Sequence, residues 1–382
     1  MLDMPADLPA REHAQIERTR EFVSAHVVPG AAMRAQHGAS SQSLISQAGE
    51  AGLLRMQVPL AMGGLGLRFS CKVQALEMIA AADFGVAMAV VNSHNVAEHL
   101  SRMAGEAVAR RWMAPLMSGQ ASGCTALTEP SAGSDFASIR TRAEQVDGGW
   151  VLNGDKTWIT NAVHADVVIV YAQTQPGAGA AGIAAFVVDA ARPGFIRGPA
   201  LPMGPVSSIG AGSFRLENYA CDSGQMLASS GLAFKDIMQS INGARTYVAA
   251  MCCGMAGAAL QLARDHGLGR EAFGRHLHGH QGWRWHLADA AVDLDAARLL
   301  VARAAALIDS GLDAQLEAAG AKVFATRMAQ RHVAELMHAM GAQGLDSHEP
   351  LMRHLAAAQV AALVDGSTEM LLERIARDIR GA

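Results

Sequence analysis

Apolar spacing changes period twice along this chain, and those two changes limit the folds open to it. Before Gly123 apolar residues recur at helical spacing. His13–Val28 halts at Pro29-Gly30, Ser43–Leu53 ends near Gly52, and Val73–Ala82, Val86–Arg102 and Glu106–Met117 follow. From Gly123 the text becomes short β-prone runs punctuated by glycines. From Leu232 it is helical again: Trp283, Leu287, Ala290, Leu294, Ala297 and Val301 form one apolar stripe suited to a helix–helix seam. This order predicts a mainly α fold with a β-rich, barrel-like middle domain. The boundaries read as an N-terminal helical domain over 1–122, a β domain over 123–226 and a C-terminal helical bundle over 227–382.

The middle stretch is the most informative. Thr125–Thr128 is β-prone, and Glu129-Pro130-Ser131-Ala132-Gly133-Ser134-Asp135 is a polar loop with a proline start and a glycine inside. Arg140–Val146 alternates into Asp147-Gly148-Gly149, a hairpin turn. Trp150-Val151-Leu152 precedes Asn153-Gly154, read as a second turn, and Trp158–Thr160 reads as a third short strand. Val167–Gln173, Ile183–Val188, Gly194–Arg197 and Ser213–Leu216 complete the strands, which end near Asp222–Gln225. The loop offers the hydroxyls of Thr128, Ser134 and Thr160, free backbone N–H groups and the indole of Trp158. Such groups suit a flat ring with polar edges better than a metal or a phosphate. From composition alone the same text is a well-turned β-meander.

Composition excludes several classes. Hydrophobic residues make up 51% and charged ones 17% of 382, so the chain is globular with a large buried surface, enough for two or three packed units. A net charge of −4 argues against a nucleic-acid surface. Cys71, Cys124, Cys221, Cys252 and Cys253 are odd in number and lack ligand spacing, which reads as buried, reduced thiols of a cytosolic protein. The opening MLDMPADLPARE shows no leader pattern, and no apolar run reads as long and clean enough to cross a bilayer. Gly63-Gly64-Leu65-Gly66 lacks a preceding strand and reads as a turn between helices. His94 and His99 read as packing residues. His276, His278 and His280 alternate as on one face of a strand, without the carboxylates or cysteines that a metal site would add.

ALTEPSAGSD followed by GWVLNGDKTWITN closely resembles the signature of the acyl-CoA dehydrogenase family of flavoproteins. The likeness extends over nearly the whole chain. It implies FAD as cofactor, a C-terminal four-helix bundle, and a tetramer or dimer with flavin bound across a subunit boundary. It implies that Thr128, Ser134, Trp158 and Thr160 line the flavin, Thr128 and Ser134 also bordering the acyl-thioester cleft. GREAFGRHLHGHQ is similar to the stretch whose Arg, Phe and Gln meet a neighbouring subunit's flavin dinucleotide, which assigns Arg270, Phe273 and Gln281 and makes the histidines a polar rim. His338 through Gly344 resembles the family's Gln-x-x-Gly-Gly-x-Gly turn, with His338 and Ala342 in place of Gln and Gly, so contacts at the adenine end would differ. Ser367 and Glu369 join the cofactor set. Arg245 matches a family Arg near the CoA nucleotide; on its own it also reads as a solvated helix residue.

Where the family usually has Glu-Gly-Thr, this chain has Asp365-Gly366-Ser367. The resemblance implies that the acid there removes the substrate's α-proton. The family's other base position, beside Arg245, holds Ala244, and Ala356-Ala357 stand where Arg-Asp is common. Read as plain residues, Asp365-Gly366 is a helix-breaking turn. An Asp is shorter than a Glu by about 1.5 Å of reach, and a misplacement of about 1 Å can cost 10²-fold. Burial would raise its pKa and strengthen it as a base. The resemblance therefore implies FAD-dependent α,β-dehydrogenation of an acyl-CoA or acyl-carrier thioester, with electrons leaving to an electron-transfer flavoprotein. The alternatives are a flavin monooxygenase or non-redox lyase on the same fold, and a non-catalytic acyl-thioester-binding subunit.

Overall fold

The helices stop where the apolar spacing changes. The computed structural model describes residues 8–37 and 42–379. Within them α1 (Leu8–Phe22), α2 (Ala31–His37), α3 (Gln42–Glu50), α4 (Phe69–Ala82), α5 (Phe84–Met103) and α6 (Glu106–Ser118) precede the first strand. Residues 1–7, on which the leader reading chiefly rests, lie outside the described ones. The expected halt at Pro29-Gly30 is corrected: α1 runs through a π-turn, Val23–Val27, and a 3₁₀ turn, Val28–Gly30, directly into α2, with Pro29 in the first turn of the 3₁₀ segment, where its missing N–H is tolerated. Gly63-Gly64-Leu65-Gly66 is the connecting turn it was read to be: a Cβ on Gly64 would lie 2.0 Å from the Val58 carbonyl oxygen.

The β region forms one eight-stranded sheet from β1 (Gly123–Ala126), β2 (Arg142–Val146), β3 (Gly149–Ile159), β4 (Val167–Gln173), β5 (Ile183–Asp189), β6 (Phe195–Ala200), β7 (Gly212–Asp222) and β8 (Met226–Ala228). The order is β6-β7-β3-β2-β4-β5-β8, with β1 parallel to β4. β2 and β3 meet as the expected hairpin, Val146 opposite Gly149. Asn153-Gly154 corrects the sequence reading, because β3 continues through it and no separate third strand exists. β7 pairs with β3 on both sides of Gly154, so the backbone bulges there without reversing. Gly154 has φ 154°, and a Cβ would sit 2.5 Å from the Thr141 hydroxyl. Every residue of β4 and β5 is buried, in keeping with continuous apolar runs covered on both faces.

After the sheet come α7 (Ala233–Gly269), a short hairpin of β9 (Glu271–Ala272) and β10 (Arg275–His276), then α8 (Gln281–Asp309), α9 (Gln315–Ala339), α10 (Leu351–Leu363) and α11 (Thr368–Ile379). The histidine reading is corrected here. Only His276 lies in a strand; His278 is in a single 3₁₀ turn, Leu277–Gly279, and His280 precedes α8, so the three share no strand face. The α8 stripe is as expected, with Ala290, Leu294, Ala297 and Val301 buried. α7 is, by length and composition, apolar enough to cross a membrane, which corrects the bilayer reading. Of its most apolar window, 72% is buried inside the protein.

Contacts gather the chain into two units. One draws on the chain up to Arg18, on His37–Arg68 and on Met88–Ser240; the other on Thr19–Gln36, Phe69–Ala87 and the chain from Ile241 onward. The first holds the sheet, whose core includes Leu152, Phe186, Phe214 and Tyr219. The second is helical, and a carboxylate distant in sequence caps one of its helices. Asp309 accepts the N–H groups of Phe69 at 2.6 Å and Ser70 at 3.2 Å, satisfying orphan donors at the start of α4. All five cysteines are free and buried.

Candidate active site

The residues singled out from sequence fall into two groups, one on each unit. On the first, the loop after β1 is held by a buried carboxylate. Glu129 accepts from Arg140 N at 2.6 Å, Thr141 N at 3.0 Å, the Thr141 hydroxyl at 2.5 Å and Lys156 Nζ at 2.8 Å. Lys156 Nζ also donates to the Leu127 carbonyl at 3.0 Å. Burial alone would push the Glu129 carboxyl up. The Lys156 charge and the converging donors outweigh it and hold the group below its ordinary value. Burial pulls Lys156 down to about 8 against the pull of Glu129. Between these anchors Pro130 and Ser131 turn the chain, with Glu129 and Ala132 exchanging backbone hydrogen bonds at 2.9 and 3.1 Å.

The braced loop carries Thr128, half-buried, and Ser134, exposed. The Thr128 carbonyl accepts Thr157 N at 3.1 Å, tying the loop to β3 one residue before Trp158. Trp158 is 60% exposed and has φ 58°, a left-handed backbone that a bulky residue rarely adopts. A second register shift, between Lys156 and Ile159, turns its indole outward while its neighbours stay buried or half-buried. Thr160 follows, half-buried. Asn161 (φ 65°) anchors the end of the segment by donating from Nδ2 to the Ala89 carbonyl at 2.8 Å. A groove of about 570 Å³ opens beside the loop, lined by Asp135, Ser138, Arg140, Arg142 and Gln173 among others. His94 and His99 are buried packing residues, as read. His94 Nε2 accepts Gln57 N at 3.2 Å, and His99 Nε2 lies 2.6 Å from Asp236 Oδ2.

On the second unit, α10 ends and Asp365 (φ 54°) and Gly366 (φ 100°) make a left-handed turn into α11. The helix-breaking reading and the catalytic one therefore fall on the same residue. All three carbonyls around the turn are held by cations. Arg245 Nε donates to the Asp365 carbonyl at 3.1 Å; Lys322 Nζ donates to Gly366 at 2.6 Å and also to Val364. Burial raises the carboxyl of the half-buried Asp365 above its ordinary value, opposed by the charges of Lys322 and Arg245. Burial likewise lowers Lys322 to about 8, opposed by Asp365. Ala244 is buried and offers no base. Ser367 heads α11, its hydroxyl accepting Met370 N at 3.4 Å, and Glu369 is exposed in the first turn.

The remaining second-unit residues are mostly at the surface. Arg270 and Gln281 are exposed at either end of the β9–β10 hairpin, and Phe273 stands 97% exposed at its tip with φ 53°. A large ring set on left-handed backbone in solvent gains little from burial here, so packing within this chain does not explain it. His338 is exposed near the end of α9 and lines a smaller groove of about 280 Å³ with His286, Ala334, Glu335 and Ala339. Ala342 is exposed on the turn beyond, beside Gly341 (φ 62°).

The sequence reading missed Glu129, Lys156 and Lys322 as organising groups. Lys322 had a usable signal: it falls in step with the buried Ala318, Ala325 and Ala329 of α9, and a lysine on an apolar face calls for a partner. Lys156 had a weaker one, since its own strand gives no hint of the carboxylate it meets.

Three family models match the chain: acyl-CoA dehydrogenase N-terminal domain over residues 10–120, middle domain over 124–219 and C-terminal domain over 234–380. The short-chain specific mitochondrial acyl-CoA dehydrogenase of Bos taurus is 32% identical over 366 residues, 95% of this chain and 89% of its own length. The butyryl-CoA dehydrogenase structure from Megasphaera elsdenii superposes with a TM-score of 0.93 at 29% identity, covering 99% of this chain and all of its own. A glutaryl-CoA dehydrogenase from Mycobacterium smegmatis, solved in complex with FADH2, gives 0.91 at 25% identity, covering 99% and 96%.

Proposed function

The chain belongs to the acyl-CoA dehydrogenase family, and from that premise we propose that it oxidises the α,β-carbon bond of an acyl thioester with Asp365 as base. It is an oxidoreductase acting on a CH–CH bond, with FAD as cofactor. The residues present fit that group. Thr128, Ser134 and Thr160 supply hydroxyls, and Trp158 presents an indole on backbone held away from its relaxed form. Those four, with Arg270, Phe273 and Gln281, would hold FAD, which when bound supplies the hydride acceptor.

The chain's own part is proton removal. The ionised Asp365 carboxylate accepts the α-proton, and its backbone N–H donates to the thioester oxygen as negative charge develops there. The supporting observation is a carboxyl whose burial raises its proton affinity while two cations grip the turn that carries it. We also assign Ser134 and Arg245 to the thioester ligand. An electron-transfer flavoprotein as acceptor, homo-oligomeric assembly and a cytoplasmic location are readings that rest on family membership and on the five free thiols.

The test is anaerobic mixing with a panel of acyl-CoAs while flavin absorbance is followed. Bleaching by a subset of chain lengths supports the reading, and Asp365→Ala should abolish it while keeping the flavin. Bleaching at an undiminished rate in that variant removes Asp365 from the reaction. Oxygen consumption by the reduced protein, with no acyl-CoA bleaching, favours a monooxygenase.

A further inference from the structure

Lys322 is 1% exposed, yet no carboxylate lies within ion-pair distance of its ammonium among the described residues. Its donors go to the carbonyls of Val364 and Gly366, the residues before and after Asp365. Arg245 takes the carbonyl between them, and its Nη1 is steadied in turn by Asn242 Oδ1 at 3.1 Å. Burying a lysine to satisfy backbone carbonyls is costly, since a neutral donor could fill that role without the charge. The positive charge is what a neutral donor would lack, and the ionisable group it bears on is Asp365.

We infer that Lys322 is a positioning residue for Asp365: it clamps the left-handed turn that presents the carboxylate and supplies the charge that keeps the carboxylate ionised in a buried setting. Two needs conflict at this turn. A buried carboxylate is a stronger base, but burial also tends to leave it protonated and idle. A cation bonded to the turn, and not to the carboxylate itself, offsets the second effect while leaving the carboxylate oxygens free. The charged and titratable groups bearing on Lys322 are Asp365 from the turn, with Arg245 and Cys252 from α7; Arg374 of α11 bears on Arg245. Asp365 is the one carboxyl group among them, and Cys252 is pushed up to about 12 by burial.

The catalytic consequence rests on the reading of Asp365 as base; the clamp does not. Both are tested on the purified full-length holoprotein carrying [4-13C]Asp, with Asp365 assigned by difference from Asp365→Asn and its carboxyl titrated by NMR. Lys322→Gln keeps a donor and removes the charge. In it the Asp365 titration should move to higher pH, and kcat for bleaching at neutral pH should fall about tenfold or more, with KM changed less than about twofold. An unmoved titration in folded Lys322→Gln overturns the inference. Lys322→Arg keeps charge and donors and should titrate as wild type; an upward move there also overturns it, and this variant carries the test if Lys322→Gln does not fold. Continued bleaching by Asp365→Ala would sink the base reading alone, leaving the titration to decide the clamp.

Discussion

Lys156 Nζ lies 2.8 Å from Glu129 Oε1, and neither side chain has more than 4% of its surface exposed. The pair joins the loop that carries Thr128 and Ser134 to the strand that carries Trp158. Breaking one side of such a pair leaves an uncompensated buried charge and costs roughly 3–5 kcal/mol. Lys156→Met and Glu129→Gln should each lower stability by about that much and reduce flavin content, as read by chemical denaturation and the visible spectrum. The double variant should cost less than the sum of the two.

Acid should act through the same carboxylate. Glu129 is held below its ordinary 4.5, so its stabilising share is complete above that pH and is lost as pH falls through the lower folded-state value. Thermal unfolding at a series of pH values should show a decline beginning below about 4.5 that is flattened in Glu129→Gln.

Trp158 sets stability against ligand binding. Left-handed backbone costs a side chain roughly 1–2 kcal/mol, and most of this indole is exposed, so little packing offsets that strain. Trp158→Gly should leave the flavin-free protein as stable as wild type or slightly more so, while lowering its affinity for FAD. Calorimetry and flavin titration read the two effects separately.

Gly154 tolerates no side chain. Gly154→Ala places a methyl against Thr141, whose hydroxyl bonds Glu129, on backbone that L-residues avoid. A loss of about 3 kcal/mol is expected in denaturation, larger than for Ala at the open Gly148 turn.

The cysteines should be silent in the native state. Burial pushes Cys124, Cys221 and Cys252 up to about 12 and raises Cys253 well above its ordinary value, so thiolate is scarce at neutral pH. A thiol reagent should titrate almost none in native protein and all five after denaturation.

The fold was legible because period is local: the α8 stripe and the Asp147-Gly148 hairpin declare themselves within a dozen residues. Asn153-Gly154 misled because its dipeptide is the usual hairpin signal, whereas β7, some sixty residues later in the chain, pairs through it. The alternating histidines misled too, since a 3₁₀ turn over Leu277–Gly279 ends the strand directly after His276. At the site, Asp365 could be found from its place in a motif; Lys322 could be flagged as a lysine on the apolar face of α9, but not what it holds, because that is main chain and main chain is the same in every sequence.

The division of the chain sets terms for its synthesis. Helices α2 and α4 leave the ribosome long before the C-terminal helices of the unit they belong to, and Asp309, which caps α4, arrives only at the end of α8. A nascent chain therefore carries unmet apolar faces for most of its translation. Chaperone demand should scale with how far a truncated product falls short of α8, and no single cut yields an autonomous half.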